Sequence, residues 1–335
     1  MIIERKITYS PAFTLVMTHE CFNRCSYCNF RKEIRRDSWL TLSEAKILLD
    51  RLAVSETAEI LILSGEVHPN SARRREWFQR IRDICELTLS LGFLPHTNVG
   101  PLSWEETKSL QEVNVSMGLM LEQLTPNLLK TVHKYAPSKR PEIRLEQIEW
   151  AGKLRIPFTT GLLLGIGETK TDRWESLKAI AKIQQKWGHI QEVILQPYSL
   201  GTRQSYKNES FALNELPLLI RQAREMLPET VAIQIPPNLI VKPQLLIACI
   251  EAGARDLGGI SPKDEVNPDY PHLTADSLQT VLETEGWELM PRLPVYPHHY
   301  SWLSPKLQKS IKAKENELKK PLRQANALRL KEKQI

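Results

Sequence analysis

Phe13-Thr-Leu-Val-Met17 runs straight into Thr18-His19-Glu20-Cys21-Phe22-Asn23-Arg24-Cys25-Ser26-Tyr27-Cys28-Asn29-Phe30. The first five residues are apolar or β-branched, as a buried strand requires. The stretch after them carries three of the chain's five cysteines within eight residues. Spaced x3 and x2 on one loop, three thiolates can each reach a different iron of one cubane, and the fourth iron is left without a protein thiolate. An open metal position is what catalysis needs and what a structural site avoids. The alternative is zinc bound by the three cysteines and His19. Structural zinc sites usually bring a second ligand pair from elsewhere, and this chain has no second CxxC. Cys85 and Cys249 lie in apolar stripes and read as small buried hydrophobes.

Outward from this loop, short apolar runs alternate with stretches of helical period. Strands are expected at 13–17, 59–64, 93–98, 115–121, 157–164, 192–196, 231–235 and 256–260. Helices are expected at 41–55, 72–91, 103–111, 140–154, 169–187, 214–227 and 243–252. Thr41-Leu-Ser-Glu44 is a capping box, whose hydroxyl and carboxylate satisfy the first free amides of a helix. Strands that alternate with helices make a parallel sheet, because each parallel crossover needs a covering helix. Eight such units predict an α/β fold of the (β/α)8 TIM-type barrel, with a partial six-stranded barrel as the alternative. In either barrel the chemistry belongs at the C-terminal ends of the strands.

The net charge of +6 is not spread evenly. Residues 306–335 hold ten Lys/Arg and three acids, so the body of the chain is nearly neutral. The expected domains are therefore a barrel over 1–305 and a basic tail over 306–335, loose or helical and dispensable for activity. A neutral body makes nucleic acid an unlikely partner. No apolar run approaches the roughly 18 residues of a membrane span, and the start lacks the apolar core of a signal peptide. The expectation is a cytoplasmic protein with no membrane association.

Cys21-x3-Cys25-x2-Cys28, with Tyr27 before the last cysteine, resembles the signature of the radical S-adenosylmethionine (SAM) superfamily. The resemblance implies one 4Fe–4S cluster on these cysteines and SAM as an exchangeable ligand of the fourth iron. It also implies that Tyr27 lies against the adenine. Leu63-Ser64-Gly65-Glu66 resembles the Gly-Gly-Glu motif that binds the methionine amino group, with Ser64 in place of the first Gly. Gly161-Leu-Leu163-Leu-Gly165-Ile-Gly167-Glu168 fits the family's GxIxGxxE pattern, which offers apolar contact to the adenine. Glu122, at the end of the fourth strand, resembles the acid that contacts the ribose or methionine. Arg144 is a candidate partner for the cosubstrate carboxylate.

Within the superfamily, residues 8–300 are similar to the family of the first subunit of FO synthase. The matching segments are Cys21–Phe30, Leu63–Glu66, Pro157–Leu164, Ile233–Leu239 and Gly253–Pro262. The resemblance implies closure of a 4-hydroxybenzyl–ribityluracil adduct to a deazaflavin with loss of ammonia. The implied partners are that small-molecule adduct, a second FO synthase subunit, and an electron donor such as ferredoxin or flavodoxin. A polar, ribityl-bearing substrate calls for strand-end hydrogen-bonding groups, for which Gln196, Tyr198, Asn238 and Asp256 are candidates. A menaquinone-pathway or biotin-synthase-like radical enzyme on the same barrel is the alternative.

Overall fold

The structure is a computed structural model that describes residues 5–207, 210–240, 242–271 and 273–332, with side chains in the last helix described through Lys319. Its hub is β1 (Lys6–Val16). The C-terminal half of β1 pairs in parallel with β2 (Glu59–Leu63), and its middle pairs in parallel with β8 (Asp256–Ile260). Between these lie, in spatial order, β3 (Leu94–Asn98), β4 (Ser116–Gly118), β5 (Phe158–Leu164), β6 (Ile190–Pro197) and β7 (Ala232–Gln234). Eight parallel strands thus close on themselves, and the six-stranded alternative falls away.

Helices follow the strands as read from the sequence: α1 (Leu42–Leu49), α2 (Arg74–Ser90), α3 (Trp104–Gln111), α4 (Pro141–Lys153), α5 (Lys170–Trp187), α6 (Leu216–Met226) and α7 (Pro243–Glu251). Each turns an apolar stripe onto the strands, as Trp77, Ile81, Ile84 and Cys85 of α2 do. Capping boxes fix where several of them begin, with Thr41, Ser103 and Thr169 each accepting from the amide three residues on.

Two elements were not anticipated. α8 (Ala275–Glu283) completes the eighth unit, and β9 (Glu288–Pro291) pairs in parallel with Lys6–Tyr9 of β1. The same pairing explains why β1 starts well before residue 13. Its first half is polar and contains Pro11, so it lacks the apolar run that marked the rest.

The chain then crosses beneath the barrel, where the carbonyl of Pro294 accepts from Ser116 Oγ (2.5 Å) and Gln191 Nε2 (3.0 Å). The last helix, α9 (Pro305–Glu332), seals this end. Leu307 and Ile311 are buried against Ala58, Leu94, Val115, Leu293 and Val295. The Lys314 ammonium donates to the carbonyls of Val54 and Thr57, both at 2.9 Å. The tail expected from residue 306, loose or helical, thus begins as a helix packed on the barrel. The first turns of α9 are packed wall, hidden in the sequence because their apolar stripe is set among lysines whose stems also cover apolar surface.

Candidate active site

The three cysteines lie on the loop that leaves β1 at the C-terminal face. This loop is tied to the end of β2, where Gly65 N donates to Thr18 O (2.7 Å) and Phe22 N donates to Glu66 O (3.0 Å). It is tied to neighbouring loops as well: Ser26 N donates to Val132 O (3.0 Å), and Ser26 O accepts from Ser205 N (2.9 Å) and Tyr206 N (2.8 Å). Cys21, Cys25 and Cys28 are half-buried free thiols. Burial pushes the Cys21 thiol up to about 11 and the Cys25 thiol up to about 12, so metal binding has to release their protons. His19, the fourth ligand of the zinc alternative, is engaged elsewhere. Its Nδ1 is 3.0 Å from Asp37 Oδ2 and its ring packs 4.7 Å from Phe30. Among the described residues, no group of three His, Cys, Asp or Glu side chains is set to hold a single metal ion. Three thiols on one anchored loop, beside a charged cleft, fit a 4Fe–4S cluster with one open iron.

Gly65 is the closest approach between the two motifs. A Cβ there would lie 2.1 Å from the backbone oxygen of Glu20, the residue before Cys21. Gly65→Ala should therefore displace the cysteine loop, lower stability by about 1–3 kcal/mol and reduce iron uptake. A thermal melt and iron analysis on one preparation check both. Ser64, which departs from the Gly-Gly-Glu motif, has a structural occupation: its Oγ accepts from Trp77 Nε1 at 2.8 Å.

Ser64, Glu66, Glu122 and Arg144 meet in one cleft with Lys139, which the sequence reading missed. Arg144 is buried on α4 and reaches Glu66 Oε1 at 3.3 Å and Glu122 Oε1 at 3.9 Å. Lys139 Nζ is 2.5 Å from Glu122 Oε1. Burial favours neutral Glu122, but Lys139 and Arg144 outweigh it and hold the carboxyl below its usual range. Glu122 sits at φ +66°, a left-handed conformation that L side chains rarely adopt. The cleft therefore offers paired ammonium, guanidinium and carboxylate groups in one recess. A sequence signal for Lys139 did exist: Lys139-Arg140 stands immediately before α4, where the helix dipole disfavours positive charge.

The remaining expected site residues divide between two places. Tyr27 packs with Leu163, Ile166 and Tyr198 at the top of β5 and β6, and its hydroxyl is 2.9 Å from His133 Nε2. Gly165, at φ +90°, abuts Phe211, and its amide is bound by Glu168 Oε1 at 2.7 Å. Gln196 and Asn238 line the barrel lumen. Tyr198 and Asp256 are occupied in other ways. The Tyr198 hydroxyl donates to Tyr206 O at 3.0 Å, and Asp256 is clamped under the floor by Arg292 at 2.6 Å and 2.8 Å.

A closed parallel barrel with a three-cysteine loop at its mouth is the arrangement of a radical SAM enzyme. The family model described as Radical SAM superfamily matches residues 15–180. Solved structures agree on the fold. The [FeFe]-hydrogenase maturase HydG from Carboxydothermus hydrogenoformans superposes with a TM-score of 0.73 at 17% identity, over 94% of this chain and 77% of that one. Methylornithine synthase gives 0.65 at 15% identity, over 85% and 84% of the two chains. Sequence relatives are more specific. The 7,8-didemethyl-8-hydroxy-5-deazariboflavin synthase of Trichormus variabilis is 62% identical over 91% of this chain and 90% of its own length. That of Thermosynechococcus vestitus is 58% identical over 92% and 98%. The chain belongs to the 7,8-didemethyl-8-hydroxy-5-deazariboflavin (FO) synthase family. Membership makes it an enzyme and implies a 4Fe–4S cluster and SAM. Among the described residues, no helix is long and apolar enough to cross a membrane.

Proposed function

We propose that this chain converts 5-amino-5-(4-hydroxybenzyl)-6-(D-ribitylimino)-5,6-dihydrouracil to FO with loss of ammonia. On this reading Cys21, Cys25 and Cys28 hold the cluster, and SAM occupies the cleft of Ser64, Glu66, Glu122 and Arg144. When bound, the two groups would supply the radical chemistry of hydrogen abstraction. The protein's contribution is to position and shield. Lys139 and Arg144 offer cationic partners for an amino-acid carboxylate, and Glu66 and Glu122 offer anionic partners for its ammonium.

The observation that carries the reading is a shared wall. Leu63, Asn98 and Val266 line both this cleft and the lumen. A cosubstrate in the one is therefore adjacent to a substrate in the other, as hydrogen abstraction demands. A second FO synthase subunit would make the adduct, and a cytoplasmic donor of the ferredoxin or flavodoxin type would supply the electron.

The test is an anaerobic incubation of reconstituted enzyme, SAM, reductant and adduct. Deazaflavin fluorescence and ammonia are expected together, and tyrosine with the free ribityluracil should give neither without the second subunit. Cleavage of SAM to 5′-deoxyadenosine without turnover of the adduct would move the chain to another branch of the superfamily.

A further inference from the structure

The lumen is not the packed core of large branched side chains that fills most barrels of this type. Ala12 and Gly259 leave it open, and polar side chains line it down to its floor. Two floor groups present acceptors with no partner among the described residues. Glu59, on β2, is only 7% exposed and faces the lumen, with no hydrogen bond or ion pair among the described residues. His96 is the neighbour of Leu61 on β3 and is 6% exposed. Ser116 Oγ spends its proton on Pro294 O, so it must accept from His96 Nδ1, 2.7 Å away. That fixes the tautomer and leaves Nε2 as a bare acceptor beside Gly118.

Opposite these acceptors stands Arg292, whose charge is met by Asp256 and Glu192. Glu192 also accepts from Thr159 Oγ1 at 2.7 Å. Above them are amides that both donate and accept, among them Asn98, Gln196 and Gln234. A floor with unmatched acceptors, a neutral imidazole and more carboxylates than cations suits a neutral ligand rich in hydroxyl groups. It disfavours an anion, and a phosphate ester above all.

We propose that Glu59 and His96 form a binding site for an unphosphorylated polyhydroxylated chain at the floor of the lumen. Given the function proposed above, on which this part rests, the chain is the ribityl tail of the substrate. Leu63 at the mouth and Glu59 at the floor are four residues apart on one strand, or about 13 Å at about 3.3 Å per residue. That depth takes an extended five-carbon tail and leaves the rings to be joined at the mouth, beside the cleft. The two residues are specificity determinants of the tail and do not touch the reacting atoms.

The experiment compares FO, its counterpart with methyl in place of ribityl, and its ribityl 5′-phosphate as ligands of the cluster-loaded enzyme, by fluorescence titration. FO should bind at least about 30-fold more tightly than either counterpart, a difference of about 2 kcal/mol. Glu59→Gln and His96→Leu should each weaken FO binding about tenfold or more and leave the methyl counterpart unaffected, which separates tail recognition from misfolding. In turnover, KM for the adduct should rise while kcat and uncoupled SAM cleavage hold. Equal affinity for FO and the methyl counterpart would overturn the proposal, as would a ribityl preference that both variants retain. If the wild-type enzyme turns over the adduct in either of those cases, the functional reading survives without it. If it neither turns over the adduct nor binds FO, both fall together.

Discussion

On the function proposed above, Cys25→Ala should abolish FO formation, lowering turnover by about a thousandfold or more, because the radical chemistry depends on the cluster this thiol would help to hold. The physical basis is the donor set. Three thiols on one loop are the minimum that holds a cubane with one open iron, and two cannot anchor it firmly. Stability should hardly change, since Cys25 is half-buried on a loop and contributes to none of the apolar clusters. Iron and sulfide analysis after anaerobic reconstitution should fall from about four irons per chain to near none, with an unaltered melt. Cys85→Ala is the control. Cys85 is fully buried on α2 within the core, so its loss costs stability but no iron. Full iron content in Cys25→Ala, or stoichiometric zinc in the wild type, would sink the cluster assignment.

The second large effect concerns the C-terminus. A chain ending at Pro305 should be unstable or insoluble, whereas one ending at Lys319 should match the full-length protein. Leu307 and Ile311 are each about fully buried, and burying such side chains is worth about 1.5–3 kcal/mol apiece. Their removal also strips the cover from Leu94, Val115, Leu293 and Val295. The combined loss, about 3–6 kcal/mol, is comparable with the whole stability of many domains. Soluble expression and thermal melting of the two truncations decide the matter. Equal behaviour of both would restore the sequence expectation that everything beyond 305 is dispensable.

That contrast shows where the sequence was legible. Units built from an apolar run, a motif and an amphipathic helix were located well, because the strand at 157–164 or the capping box at Thr41 carries its own local signal. What could not be read depended on tertiary partners. β9 is short and gains its identity only by pairing with Lys6–Tyr9. In the cleft, Glu122 was named from resemblance and Arg144 from its charge, but Lys139 joins them through a turn that only the folded chain brings round. The pairing of Asp256 with Arg292 was not legible, since Arg292 lies in a proline-rich stretch with no periodicity. Glu59 and His96 looked like ordinary strand residues. Their interest lies in what surrounds them, which no local pattern encodes.

The double use of β1 has a consequence for the order in which the molecule assembles. Lys6–Tyr9 wait for Glu288–Pro291, and Thr8–Pro11 wait for Asp256–Ile260. β1 is made before β2–β9 and is thus among the last to be fully paired, across contacts far apart in sequence. The cysteine loop hangs from the far end of that strand. Until synthesis has passed β9, the thiols lack a settled frame, and one edge of β1 stays open to other chains. Iron–sulfur loading should accordingly favour the finished polypeptide, and nascent chains stalled before residue 256 should be the species most prone to aggregate.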